Sequence, residues 1–159
     1  NDGLVWQVDR AGQSRVVFDA QELEVHAIAA AADGALLVAT SPDGKVYRVA
    51  AGGTSSVFFD PEDKYIWALA VDGPGRVYVG TGDKGVIYRV SADGKSDVFY
   101  KTQTANVTSL LIAPDGQLLA STESPGRVLR ISPAGKAFVL LESPYREVRG
   151  LRVTAAGAL

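Results

Sequence analysis

The chain has 159 residues, 47% of them hydrophobic, enough to bury a sizeable core in a globular class. Sixteen basic and eighteen acidic residues leave a net charge of −2 with no basic stretch, which argues against a nucleic-acid footprint. No apolar run approaches the ~18 residues that suggest a spanning helix, and the absence of cysteine excludes disulfides and cysteine-ligated zinc.

Methionine is also absent and the chain opens at Asn1. The expectation is a processed, excised or fragmentary product, with a preceding signal peptide and a secreted or periplasmic setting.

Glycines set a period. Gly3, Gly44, Gly85 and Gly126 recur every 41 residues, and Gly12, Gly53, Gly94 and Gly135 follow the same interval, as do Val16, Val57, Val98 and Val139. A period near 40 with turn glycines and short apolar runs points to an all-β fold, a β-propeller of four-stranded antiparallel blades.

With strands lettered A to D outward from the axis, residues 4–18 supply only a C strand and a D strand. Whole blades are expected at about 25–60, 66–101 and 107–142. In the second, residues 66–71 form a near-continuous apolar run, as in a strand covered on both faces. The turn Asp72-Gly73-Pro74-Gly75 ends it, 76–81 alternates, Gly82-Asp83-Lys84-Gly85 turns again, and two further short strands complete a meander. Residues 148–153 then read as an A strand, with a B strand beginning at Ala158-Leu159. The first and last pieces together make one divided fourth blade. An open stack leaves apolar end faces in water at roughly 1.5 kcal/mol or more per side chain, so the ring is expected to close.

The run Gly85-Val86-Ile87-Tyr88-Arg89-Val90, followed by Asp93-Gly94, an apolar inner strand and Asp115-Gly116-Gln117-Leu118, resembles the NHL-type propeller repeat and the related gluconolactonase and strictosidine-synthase-like propellers. Lys45-Val46-Tyr47-Arg48-Val49 and Tyr65-Ile66-Trp67-Ala68-Leu69-Ala70 look closest to secreted bacterial propellers of this group. The resemblance spans essentially the whole chain, and every matching residue is a strand or turn residue, so it implies a fold and not an activity. WD dipeptides and the kelch double glycine do not recur. Propellers of this type close with six to eight blades. Four repeats per chain therefore imply a homodimer closing an eight-bladed ring, or the remainder of a larger propeller, with a self-closed four-bladed monomer as a third arrangement.

Function has to be read from positions that vary on the repeating scaffold. The start of strand A reads Glu24, Tyr65, Asn106 and Glu147, and two residues on His26, Trp67, Thr108 and Arg149. Tyr65 and Trp67, with Tyr145 on an adjoining loop, suit an aromatic platform for a sugar, peptide or apolar ligand, flanked by His26 and Arg149; packing of Trp67 between blades is the competing reading. His26 is the single histidine, and with no Ser/His/Asp ordering beside it no catalytic residue is assigned.

Glu24, Asn106 and Glu147 are oxygen donors that, as a set, would hold Ca2+ or another divalent metal. The resemblance adds that gluconolactonase-like propellers hold a metal near the axis with acidic and amide side chains. Solvated polar residues and no cofactor are the favoured alternative. The acidic residues of the D–A loops, Asp60, Glu62 and Asp63 with Glu22, Glu24, Glu142 and Glu147, read as a solvated face that serves solubility or attracts a cation or basic partner. Trp6, Tyr47 and Tyr88 share one position on strand C and read as packing residues. The favoured function is a non-enzymatic binding or scaffold propeller presenting this loop face to a ligand or protein. A metal-dependent lactonase-like hydrolase and a half-propeller fragment without independent activity are the alternatives.

Overall fold

The computed structural model describes residues 3–73 and 75–154; the strand start expected at Ala158-Leu159 lies outside the described residues. Fourteen strands and no helix are present among them. The pair β1 (Leu4–Val8) and β2 (Ser14–Asp19) stands first. Blade I follows as β3 (Glu24–Ala30), β4 (Leu36–Ser41), β5 (Val46–Val49) and β6 (Ser55–Phe59). Blade II is β7 (Ile66–Asp72), β8 (Arg76–Thr81), β9 (Val86–Val90) and β10 (Ser96–Lys101). Blade III is β11 (Asn106–Ile112), β12 (Leu118–Glu123), β13 (Arg127–Ile131) and β14 (Ala137–Glu142). Each blade is an antiparallel meander in sequence order.

Local chemistry sets the hairpins. Where β9 turns into β10, Ser91 N donates to Lys95 O at 2.8 Å and Gly94 N to Ser91 O at 2.9 Å. Gly94 has φ +82°, a left-handed conformation that a side chain resists, and its counterparts Gly12, Gly53 and Gly135 lie between +79° and +86°. The second strands are buried on both faces: Val77, Tyr78 and Val79 are all inaccessible. The innermost strands β3, β7 and β11 neighbour one another from blade to blade and so line the axis.

The core lies between blades. Phe18 of β2 meets Tyr47 of β5 with ring centroids 5.0 Å apart, and Phe59 of β6 meets Tyr88 of β9 at 5.3 Å. Between blades II and III, Tyr78 packs on Phe99 at 4.9 Å beside Ile87, Leu110 and Leu129. A buried acid reinforces two of these seams. Glu22 Oε1 accepts from Tyr47 Oη at 3.0 Å and Lys45 Nζ at 2.9 Å, and Asp63 Oδ2 accepts from Tyr88 Oη at 2.7 Å.

Two expectations are corrected here. Glu22 and Asp63 were expected on a solvated acidic face, but both are buried and anchor the following blade. Trp6 was expected to pack like Tyr47 and Tyr88, but it is mostly exposed, because no outer strand lies against that side of β1.

Residues 148–153 do not form the expected strand. No strand is assigned there, since no ladder partner lies alongside among the described residues. The segment is nonetheless docked: Leu151 is buried with Ala113, Leu119 and Val128 of blade III, and Val148 N donates to Thr122 O at 3.1 Å. The β1–β2 pair instead packs on blade I, with Val5 and Phe18 joining Val38, Tyr47 and Val49. The described units therefore form an open arc, with the divided pieces at its opposite ends.

Candidate functional site

Each inner strand begins with a β-bulge, and the bulged residue is the one the sequence singles out. Pairing skips His26 between Val25 and Ala27, Trp67 between Ile66 and Ala68, and Thr108 between Val107 and Ser109. A bulge releases one side chain from the pleat and re-aims it without ending the ladder. Three successive blades use it to turn a variable residue toward the same face, where the D–A and B–C loops gather.

The side chains so placed line a cavity of about 310 Å3 bounded by His26, Trp67, Asn106, Thr108, Glu123, Glu147 and Arg149. Its aromatic wall is built from two contacts. Trp67 lies 4.2 Å from the His26 ring and stacks on Tyr65 at 5.9 Å, with 13° between the planes. Tyr65 thus backs the wall without lining the cavity. Tyr145, expected to extend the platform, is largely exposed and outside the cavity lining. A Cβ on Gly82 would strike Trp67 Nε1, so the missing side chain at that glycine is what lets the indole lie where it does.

The opposite wall is polar. Asn106 Nδ2 donates to Glu123 Oε2 at 2.7 Å, and Asp83 N donates to Asn106 Oδ1 at 3.2 Å. Glu123 Oε1 is 3.0 Å from Arg146 Nη2, and Glu147 Oε1 is 2.8 Å from Arg149 Nε. The Thr108 and Ser121 hydroxyls share a hydrogen bond at 2.9 Å, and Thr108 Oγ1 also donates to Val148 O. A backbone bridge between Glu123 and Glu147 holds the start of the 148–154 segment against blade III.

Two nitrogens in the wall have no hydrogen-bond partner: Trp67 Nε1 and His26 Nε2, both buried. His26 Nε2 is 3.1 Å from Glu24 Oε2, near enough for attraction but out of line for a hydrogen bond. A buried donor left unmade costs about 1–3 kcal/mol.

The seven residues singled out from the sequence divide as follows. His26, Trp67, Asn106, Glu147 and Arg149 share the cavity, Tyr65 stands behind it, and Glu24 lines a separate depression with Trp6 and Leu23. The proposed metal donors are therefore not gathered. Asn106 Oδ1 is taken by a backbone N–H and both Glu123 oxygens are engaged. No three His, Asp or Glu residues converge as a ligand group among the described residues. As arranged, the donor set does not fit a divalent metal.

Glu123 and Thr108 were missed as site residues. The signal for Glu123 was present, because its counterparts are Ser41 and Gly82, a series as variable as the one that revealed Trp67. A larger hollow of about 570 Å3 opens on the opposite face of blade II, but its cations are paired, Arg76 with Asp72, Arg89 with Asp97 and Lys95 with Asp93.

No protein-family model matches the chain, and no curated protein matches it by sequence. Solved structures do. Virginiamycin B lyase from Staphylococcus aureus superposes with a TM-score of 0.86 at 14% identity, over 98% of this chain and 55% of that one. A gluconolactonase from Xanthomonas campestris gives 0.80 at 17% identity, over 98% and 60%. A calcium-binding protein, regucalcin, from Agrobacterium tumefaciens gives 0.78 at 16% identity, over 93% and 57%. The fold is a β-propeller. At these identities the likeness shows the fold alone. The chain spans little more than half the length of the solved structures it matches.

Proposed function

We propose that this propeller binds a small hydroxylated or carbonyl-bearing ligand, of monosaccharide or dipeptide size, in the cavity at the starts of its inner strands. The observation that carries the reading is that the bulges of three successive inner strands bring His26, Trp67 and Thr108 to line one cavity of about 310 Å3. The stacked Tyr65–Trp67 pair offers an apolar flank, and Asn106, Thr108 and Arg149 offer polar partners. Its carboxylates already have partners, which suits binding better than chemistry. The proposal includes a secreted or periplasmic setting and a ring closed around the cavity, by a second copy or by the remainder of a larger propeller.

A second reading, a metal-dependent lactonase-like hydrolase, draws on Asn106, Glu123 and Glu147 lying on one wall. It requires a cation to displace Arg146 and Arg149 from the two carboxylates. One set of titrations separates the two. Calorimetry with a hexose, its 1,5-lactone and a dipeptide, with and without chelator, is expected to give saturable binding that chelator leaves unchanged and that Trp67→Phe weakens. Lactone turnover abolished by chelator would overturn the binding reading in favour of the hydrolase. Absence of any saturable signal would overturn both.

A further inference from the structure

Because the chain repeats, one seam between blades can be compared with the next, position by position. Between blades II and III, Tyr78 lies on Phe99 with ring centroids 4.9 Å apart, and the Arg89 guanidinium stands 5.3 Å from the Phe99 ring. Ile112 and Leu118 pack into the same cluster. Between blades I and II the equivalent positions hold Leu37 for Tyr78, Phe58 for Phe99, Val71 for Ile112 and Val77 for Leu118. Phenylalanine is kept and the other three side chains are smaller. These four residues line a cavity of about 470 Å3 on the face opposite the inner-strand site. The guanidinium is drawn off as well. Arg48, the counterpart of Arg89, pairs with Asp33, whereas the sequence has Pro74 at the position of Asp33 in the next repeat. Among the described residues, no ring and no guanidinium meets Phe58.

We propose that this cavity between blades I and II binds a free phenol, its ring against Phe58 as the Tyr78 ring is against Phe99. The site is separate from the inner-strand cavity, and the inference does not depend on what that cavity holds. The occupant is read from the neighbouring seam, where the protein fills the same place with a phenol ring of its own. The frame around the two places is alike. Leu37 is flanked in its sheet by Ala29 and Arg48, and Tyr78 by Ala70 and Arg89. The Tyr78 and Phe99 planes are 58° apart, a tilted arrangement that aromatic pairs favour. The half-exposed Asp33–Arg48 pair also lines the cavity and supplies an acceptor and a donor for the ligand hydroxyl. A mostly apolar lining with a few polar groups at one side is the usual character of a small-molecule site.

Calorimetry with 4-methylphenol, the tyrosine side chain as a free molecule, tests this. Wild type is expected to show one saturable site per chain. 4-Methylcyclohexanol, similar in size but without a ring face, should bind about two- to tenfold more weakly, the range an aromatic pair contributes, and Phe58→Leu should weaken 4-methylphenol by a similar factor. Leu37→Tyr copies the filled seam and should abolish binding, with circular dichroism confirming that the blades are intact. Val71→Ile combined with Val77→Leu brings in the larger side chains of the filled seam from the other wall and should weaken binding, so the test survives a failure of Leu37→Tyr to fold. No saturable binding to wild type, equal affinity for the phenol and the cyclohexanol, or affinity unchanged in the filled variants would each overturn the proposal. Tighter binding of the tripeptide Gly-Tyr-Gly than of 4-methylphenol would overturn the assignment to a free phenol in favour of a tyrosine from a partner chain.

Discussion

Gly82→Ala is a single methyl placed where the site is tightest. Gly82 follows β8, its N–H donates to Tyr65 O at 2.9 Å, and its backbone is outside the left-handed region. Alanine therefore incurs no backbone penalty, and on chain entropy alone would stabilise by about 0.4–1 kcal/mol. Opposing this, the new Cβ strikes Trp67 Nε1 and approaches Asn106 Oδ1 at 2.9 Å and Tyr65 Cβ at 3.0 Å. Forcing such overpacking costs about 1–3 kcal/mol, so the net expectation is destabilisation by about 1–2 kcal/mol. In a Trp67→Leu background the tightest of these contacts, to the indole, is gone, and only the 2.9 and 3.0 Å approaches to Asn106 and Tyr65 are left to set against the entropic gain. Gly82→Ala should there be close to neutral, giving a coupling of about 1–2 kcal/mol between positions 67 and 82. Urea denaturation at fixed protein concentration measures all four corners of the cycle. The same cost in both backgrounds would refute the claim that Gly82 exists to seat the indole. Gly82→Ala should also weaken ligand binding, since the displaced ring moves within the cavity wall.

Ile87→Ala removes a fully buried side chain from the seam between blades II and III and should cost about 2–5 kcal/mol by urea denaturation; a cost below ~1 kcal/mol would contradict the packing described. Gly135→Ala meets nothing closer than 3.6 Å yet must hold φ +79°, so it should lose about 1–2 kcal/mol from backbone strain alone, with Gly135→Asn losing less. Burial first, and then the hydrogen bond to Asp63, push the Tyr88 phenol up to about 12. Its contribution is intact below the unfolded value near 10 and is lost as pH climbs from ~10 toward 12, because only the unfolded chain then releases that proton. The stability difference between wild type and Tyr88→Phe should therefore shrink across that window, and a constant difference would refute the assignment.

The hairpins were legible because each depends on one residue type at one place. A glycine that must turn left-handed, such as Gly94, leaves a mark that composition alone preserves. The inner-strand positions were legible for the opposite reason: His26, Trp67 and Arg149 vary where their frame does not. Burial of the loop acids was not read, although the sequence held a signal. Glu22 and Asp63 occur in the two repeats that place tyrosine at 47 and 88, and both partners change together in the third, to Thr104 and Leu129. An acid that appears and disappears with a tyrosine is paired with it, whereas a charge read alone looks like surface. The strand expected at 148–153 failed on a different ground, because a strand is defined by its neighbour and the apolar pattern of a segment says nothing of whether a ladder lies beside it.

The bulge also explains how one frame can carry different side chains at the same place. Ser41 and Glu123 end the second strands of their blades and pair with the residue two before the bulge, Glu24 and Asn106, and Gly82 follows β8 beside Tyr65. Trp67, the largest bulged side chain, lies against the residue with no side chain, whereas in blade III the long Glu123 reaches its ladder partner Asn106 and small Thr108 meets Ser121. Trp67 and Gly82 are thus a two-residue solution to one volume, built where the ladder has already been released, and neither is free to change alone. A ligand pocket on this scaffold should therefore evolve by paired substitution across the first two strands of a blade. The pair spans two strands, so no motif within a single strand marks it, and the missing side chain at Gly82 is the sign that a large one lies beside it.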